Sequence, residues 1–348
     1  MSVLTAYLKI GPRRYRERFG LSFEDFAPGQ RFRHRPGITF SQQENVNEAL
    51  ETFNGAMLHY DAHYAAQTAW EKPLMVSTLT LQRAIGMASK TFGRRKAISR
   101  FDEIVMTGPV FGGDTLYAES EILRTDDTGA DTGVVSVETR MVKPDGAEVA
   151  RMRYSAAIRR RGCEPRQDDG EPADETRFSA YHEDQHGFLV EQAGLFFEDF
   201  AVGEAFVHYP RRGFSWIDSA RYARGALDFS PQVFDPMPAG QGEDGGWHVP
   251  ETFLIGATTA LTTRTFGRVV ANLGWHDVVL SEAVLDGDTV EAESEIMDAR
   301  PSRSREGEGL LAVNTRLYNQ RRDLVLSFGR KLLVYRRGMQ SLYSAAGY

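Results

Sequence analysis

The stretch GLSFEDFAPGQRFRHRP, residues 20–36, returns as GLFFEDFAVGEAFVHYP, residues 194–210. Eleven of the 17 positions are identical, at an offset of 174. The same offset relates KTFGR at Lys90 to RTFGR at Arg264, and GDTLYAESEI at Gly113 to GDTVEAESEI at Gly287. Toward the end it becomes 176, because RRG closes at Gly162 and again at Gly338. A period this long excludes short-repeat solenoids. It implies two copies of one unit, residues 20–162 and 194–338, with 163–193 as the linker. The charged run CEPRQDDGEPADETR, Cys163–Arg177, has linker composition.

Each unit repeats one local pattern. Ser41 and Glu44 form a capping-box pair, followed by Val46, Leu50 and Phe53 on one helical face. Ser215 and Asp218 play the same parts in the second copy. A second helix is expected over 77–92, with Leu81, Ala84, Ile85 and Ala88 on one face, and its counterpart over 252–266. Segments 114–124, 134–143 and 149–160 read as strands, matched by 288–298, 310–318 and 324–336. One apolar helix followed by an antiparallel meander is an α+β unit, and the sheet must wrap the helix to bury it.

Composition narrows the functional classes. The 348 residues are 41% hydrophobic, enough for two cores. A net charge of −7 argues against nucleic acid as the main partner. A single cysteine, Cys163, allows no internal disulfide and fits a reducing, cytoplasmic setting. The basic N-terminal segment lacks the apolar core of a signal peptide, and no run has the length of a membrane span. His63, His248 and His276 have no partners at metal-ligand spacing, so no metal is expected.

The chemistry concentrates in FNGAMLHYD, Phe53–Asp61. This loop ends in His-x-Asp, precedes the second helix, and is followed by Arg100-Phe101 and then PVFGGDTL, Pro109–Leu116. Together these resemble the MaoC-type hot dog proteins, which include the (R)-specific enoyl-CoA hydratases. Nearly the whole chain is covered, so the resemblance implies a fused double hot dog. The hydratases' signature G-D-x-N-P-L-H-x-D laid on FNGAMLHYD keeps His59 and Asp61 but puts Asn54 where the catalytic aspartate stands. In the second copy the same columns read LDFSPQVFD, Leu227–Asp235, with Asp228 present and Val233 in place of the histidine. The mesaconyl-CoA hydratases, or β-methylmalyl-CoA dehydratases, are the similar subgroup: double hot dogs with an Asn-x4-His half and a degenerate half. In the better-known members the halves come in the opposite order.

The resemblance implies a hydro-lyase acting reversibly on an enoyl-CoA thioester of the mesaconyl type, with no cofactor beyond the CoA of the substrate. His59 is then the acid/base, since imidazole titrates near neutrality. Asn54 holds the water, because an amide cannot take a proton at pH 7. The backbone N–H of Ser77, at a helix start, is the oxyanion donor, its hydroxyl serving as the helix cap. Asp61, Arg83 and Arg100 are candidates for substrate binding, the arginines for a substrate carboxylate. The amide of Asn54, standing where the signature has a carboxylate, would remove repulsion against such a dicarboxylyl substrate. The plainer readings make His59 a satisfied loop histidine, Asn54-Gly55 a helix stop, Asp61 a loop brace and Asp228 residual architecture. KTFGRRK, Lys90–Lys96, reads by default as a solvated helix end, with a phosphate-contacting patch as the alternative, and His34 and His208, equivalent in the two copies, read as structural. The rival functions are a generic (R)-3-hydroxyacyl-CoA or acyl-carrier dehydratase, a hot dog thioesterase and a non-catalytic acyl-CoA binding protein. A homodimer through sheet edges or helix faces is compatible with this reading.

Overall fold

The computed structural model describes residues 4–163, 170–234 and 246–348. Asp235, the last column of LDFSPQVFD, lies outside them. The chain opens with a hairpin, β1 (Tyr7–Gly11) and β2 (Arg14–Glu17). The first unit then runs β3 (Arg31–Thr39), α1 (Gln42–Glu51), α2 (Ala62–Ala65), α3 (Ser77–Met87), α4 (Ser89–Phe92), β4 (Arg95–Met106), β5 (Thr115–Asp127), β6 (Thr132–Val142) and β7 (Glu148–Arg159). Three short strands follow: β8 (Glu171–Pro172), β9 (Tyr181–Glu183) and β10 (Leu189–Glu191). The second unit runs β11 (Ala205–Val207), β12 (Arg212–Gly213), α5 (Trp216–Gly225), α6 (Pro231–Phe234), α7 (Glu251–Leu261), β13 (Val269–Leu280), β14 (Thr289–Pro301), β15 (Glu308–Tyr318), β16 (Leu324–Tyr335) and a last helix, α8 (Gln340–Ala345).

In the first sheet the order is β4-β7-β6-β5-β3-β10-β9; in the second it is β13-β16-β15-β14-β11-β2-β1-β8. Long strands within each unit pair antiparallel and curl round one helix, α3 or α7. Leu79, Ala84 and Ala88 are buried on the inner face of α3 and its extension, packed among Leu116, Val137, Met152 and Ile158. Leu254 and Ala257 of α7 sit likewise against Val290, Leu317 and Phe328. Each fully buried large apolar side chain contributes roughly 1.5–3 kcal/mol, which commits the sheet to wrapping the helix. This is a fused double hot dog of the α+β class.

The opening stretch explains itself locally. Gly20 and Gly194 have φ of +83° and +101°, and a Cβ on either would lie 2.5 or 2.6 Å from a backbone nitrogen, Arg94 or Gly267. Only glycine lets the chain pass the end of its central helix so closely. The capping box at Ser41–Glu44 forms as expected, and Ser215 accepts from Asp218 N. Strands β4 and β13 were not expected. Both carry three register irregularities against β7 and β16, so their side chains never alternate cleanly. KTFGRRK is also not a solvated helix end. Thr91, Phe92 and Arg94 are buried, because α4 turns inward before β4 begins.

The two halves exchange arms. Hairpin β1–β2, which precedes the first unit, pairs with β11 of the second; β9–β10, inside 163–193, pairs with β3 of the first. The arms are equivalent, with Tyr7 and Glu17 at offset 174 from Tyr181 and Glu191. Tyr7 and Tyr15 pack with Phe178, Phe200 and Phe206 in the second unit's core, while Tyr181 joins the first unit's core. Each arm is pinned by a buried carboxylate. Glu191 Oε1 lies 2.9 Å from His34 Nδ1 and accepts from Thr91 Oγ1, and its Oε2 accepts from Arg35 N. Glu17 does the same with His208, Thr265 and Tyr209 N. The two histidines read as structural thus sit in matched locks between the halves.

Candidate active site

Helix α1 ends in a Schellman motif. Asn54 N donates to Ala49 O at 2.7 Å and Phe53 N to Leu50 O at 3.3 Å, with Phe53 in the left-handed region at φ +55°. The helix stop therefore falls on Phe53, one residue before the Asn-Gly pair. Asn54 opens the next turn: its Oδ1 accepts from Ala56 N at 3.0 Å. That leaves the two N–H bonds of Nδ2 as the side chain's remaining donors. In the second copy Leu227 takes φ +58° and Asp228 Oδ1 accepts from Ser230 N at 3.0 Å. Hydrogen bonds from the Ser230 hydroxyl and N–H hold the Asp228 carboxyl below its ordinary pKa. Asn and Asp are thus interchangeable as turn formers here, and the choice between them is free to serve chemistry.

His59 closes a short 3₁₀ turn, Met57–His59, and is half-buried. Its Nδ1 lies 2.8 Å from Leu74 O. A carbonyl only accepts, so Nδ1 carries a proton, and in the neutral ring Nε2 is the nitrogen with the lone pair. The backbone around it is tied by Asn45 of α1, which is fully buried. Asn45 Nδ2 donates to His59 O at 2.8 Å and Leu74 O at 3.0 Å, and Oδ1 accepts from Val76 N at 2.8 Å. Gln42 Nε2 adds a second donor to His59 O at 2.7 Å. Asn45 and Gln42 escaped the sequence reading, which took α1 only as an amphipathic helix. The helix turns Asn45 and Ala49 inward and leaves Leu50 and Phe53 exposed, so the face read from Val46, Leu50 and Phe53 is not the buried one.

Val76, not Ser77, is the N-cap of α3, and it makes no side-chain cap; Ser77 is the first helical residue. The expected capping by the Ser77 hydroxyl is absent because that position lies inside the helix. Its N–H is one of those that a first turn leaves without an intrahelical partner. Asn45 thereby links the histidine loop and the start of α3 through a single side chain. Asp61 caps α2, its Oδ1 accepting from Tyr64 N at 2.9 Å. The Arg83 guanidinium is turned to Glu44, at 2.5 Å, on α1. Arg100 stands exposed on β4, paired to Asp102 at 2.5 Å. Asn54, His59 and Asp61 thus lie on the α1–α3 connection and Ser77 opens α3, while the two arginines are paired to Glu44 and Asp102. In the second copy Val233 is buried, with its carbonyl accepting from Trp216 Nε1.

A double hot dog with a His-x-Asp loop ahead of one central helix defines the class of the chain. Residues 24–143, within the first half, match the MaoC like domain family. The chain is 31% identical over 153 residues to the mesaconyl-CoA hydratase of Cereibacter sphaeroides, covering 42% of each. It is 24% identical over 101 residues to the β-methylmalyl-CoA dehydratase of Chloroflexus aurantiacus, covering 29% of each. Each match thus spans less than half of the relative's length. Among solved structures, a MaoC domain protein from Chloroflexus aurantiacus aligns over 91% of this chain and 98% of its own, at 18% identity and a TM-score of 0.40. No helix among the described residues is long and apolar enough to cross a membrane.

Proposed function

We propose that the chain is a hydro-lyase that adds water reversibly to an enoyl-CoA thioester, with a short dicarboxylyl group of the mesaconyl type as the acyl portion. The observation that carries this is the orientation of His59, whose Nδ1 donates to Leu74 O, so that in the neutral ring Nε2 is the nitrogen able to take a proton. In the hydration direction Nε2 removes a proton from water as the oxygen bonds to the β-carbon. The electron pair moves to the thioester oxygen, where N–H groups of the first turn of α3, Ser77 among them, stabilise it. The proton at Nε2 then goes to the α-carbon, which restores the carbonyl and the base. Asn54 uses Nδ2, its unspent donor, to hold the water or the substrate carboxylate beside it.

The first unit, 20–162, is the catalytic half on this reading, and 194–338 the half that has lost the base; residues 163–193 join them. The setting is cytoplasmic and the partner is the acyl-CoA. Asp61 shapes the loop next to the substrate. Arg83 and Arg100 would reach a substrate carboxylate only by leaving Glu44 and Asp102. We also assign the working form to a homodimer. Among the described residues β4 pairs only with β7, and its residues Phe101, Ile104 and Met106 are exposed. Long exposed apolar edges of this kind are ordinarily covered.

The test is loss of enoyl-thioester absorbance with mesaconyl-CoA and crotonyl-CoA. Turnover of mesaconyl-CoA by the wild type, with a loss of about 100-fold or more in His59→Ala, supports the proposal. Asn54→Asp keeps the turn, as Asp228 does in the second copy, and lowers the mesaconyl-CoA rate more than the crotonyl-CoA rate. Release of free thiol instead of hydration, or an unimpaired His59→Ala enzyme, would sink it.

A further inference from the structure

Between the halves lies a cavity of about 950 Å³, at the upper end of the size range of small-molecule sites. Asn54, His59 and Ser77 do not line it. Its walls come from both exchanged arms, from the ends of the two central-helix segments and from the C-terminal helix. Its aromatic part includes Tyr7, Tyr181, Phe196, Tyr335, Tyr343 and Tyr348.

The charges on the wall are unevenly matched. Arg18, Arg177 and Arg337 each pair with a carboxylate: Asp25, Glu204 and Asp199. Both oxygens of Glu17 and of Glu191 are taken up by their histidine, threonine and backbone N–H donors. Lys90 and Arg264, at the same position of the repeat, have no direct ion pair and feel Glu191 and Glu17 only at longer range. Lys90 Nζ donates to Arg35 O at 2.7 Å; Arg264 donates to Tyr209 O at 3.4 Å and Arg18 O at 3.0 Å. An ammonium has three donors and a guanidinium five, so both have N–H bonds to spare.

A further buried cation lies behind this wall. Arg268 is 2% exposed, and its guanidinium lies 3.8 Å from the Phe196 ring centroid and 4.1 Å from that of Tyr343. Phe196 and Tyr343 both line the cavity. Arg268 Nη1 is buried without a hydrogen-bond partner. Withdrawing Lys90 and Arg264 from water without directly paired carboxylates is costly, and an anion placed between these two would offset that cost, with Arg268 adding positive potential from behind the Phe196 and Tyr343 rings.

We propose that this cavity binds an organic anion, a carboxylate or sulfonate on an apolar body. The acid group sits between Lys90 and Arg264, and the body lies against the tyrosine rings. A bare inorganic ion would leave most of the volume and the apolar wall unfilled. The site is separate from the loop of His59 and draws on both halves, so its occupant would brace the exchanged arms against each other.

The probe is 1-anilinonaphthalene-8-sulfonate, followed by fluorescence, with octanoate and 1-octanol as competitors against the full-length protein. One saturable site per chain is expected, displaced by octanoate and not by octanol. Lys90→Gln and Arg264→Gln should each weaken it by about tenfold or more. Lys90→Arg, which copies the second half's own residue, should retain it, and His59→Ala should leave it unchanged. Displacement by octanol as effectively as by octanoate would overturn the proposal on the wild type alone, even if a glutamine variant failed to fold. So would equal binding by folded Lys90→Gln and wild type, or loss of binding in His59→Ala.

Discussion

Replacing Asn45 by alanine is the sharpest perturbation of the candidate site that touches no reacting atom. Asn45 is fully buried and joins three backbone groups: His59 O, Leu74 O and Val76 N. Without it the Val76 N–H is left unpaired, at about 1–3 kcal/mol, and two donations worth roughly 0.5–1.5 kcal/mol each disappear. Both carbonyls keep another donor, Gln42 Nε2 for His59 O and His59 Nδ1 for Leu74 O. The net loss should therefore be about 2–4 kcal/mol, which a domain of ordinary stability survives. The functional effect should be larger than that suggests. Asn45 fixes the base relative to the first turn of α3, and a shift of about 1 Å costs on the order of 100-fold in rate. Urea unfolding and mesaconyl-CoA turnover on the same preparation read both quantities. A midpoint change worth less than about 1 kcal/mol, or a destabilised protein with wild-type turnover, would refute the role given to Asn45.

Two further outcomes concern the assembly. Burial is the largest influence on Glu17 and Glu191 and raises their pKa, but the histidine partners, the hydroxyl donors and the nearby cations outweigh it, so both end below the ordinary value of 4.5. Carboxyl groups depressed in this way add stability that is fully present above the unfolded-state pKa and is lost as the pH falls through the folded-state pKa. The melting temperature should therefore hold above about pH 5 and fall below about pH 4.5, with a shallower acid limb in Glu17→Gln/Glu191→Gln; an unaltered limb would remove the locks from the explanation. Sedimentation should find the wild type dimeric and Phe101→Glu shifted toward monomer, whereas a monomeric wild type would contradict the covered β4 edge.

Much of the candidate site's local geometry was legible because its parts are close in the chain. Phe53–Asp61 contains the turn and the histidine, and a few residues of backbone suffice to set their geometry. The aptness of Asn54 for its turn, however, became clear only beside Asp228, which makes the same bond in the other copy. Asn45 was invisible as a site residue, since its three partners come from two loops beyond its own helix. Arg83 and Arg100 were chosen by position, and position says nothing of Glu44 and Asp102, which hold them.

The repeat of Gly20–Pro36 at Gly194–Pro210 by itself determined that the chain is one α+β unit made twice, because hydrophobic period and glycine placement are local properties. Which arm packs on which half was decided only by the tertiary structure. Both halves offer the same histidine, serine and threonine cradle, at His34, Ser120 and Thr91 and at His208, Ser294 and Thr265. Glu17 and Glu191 could by their side chains enter either one. The exchange follows from the path of the chain: each arm leads through Gly20 or Gly194 past the end of one central helix, and its carboxylate faces the other half's sheet.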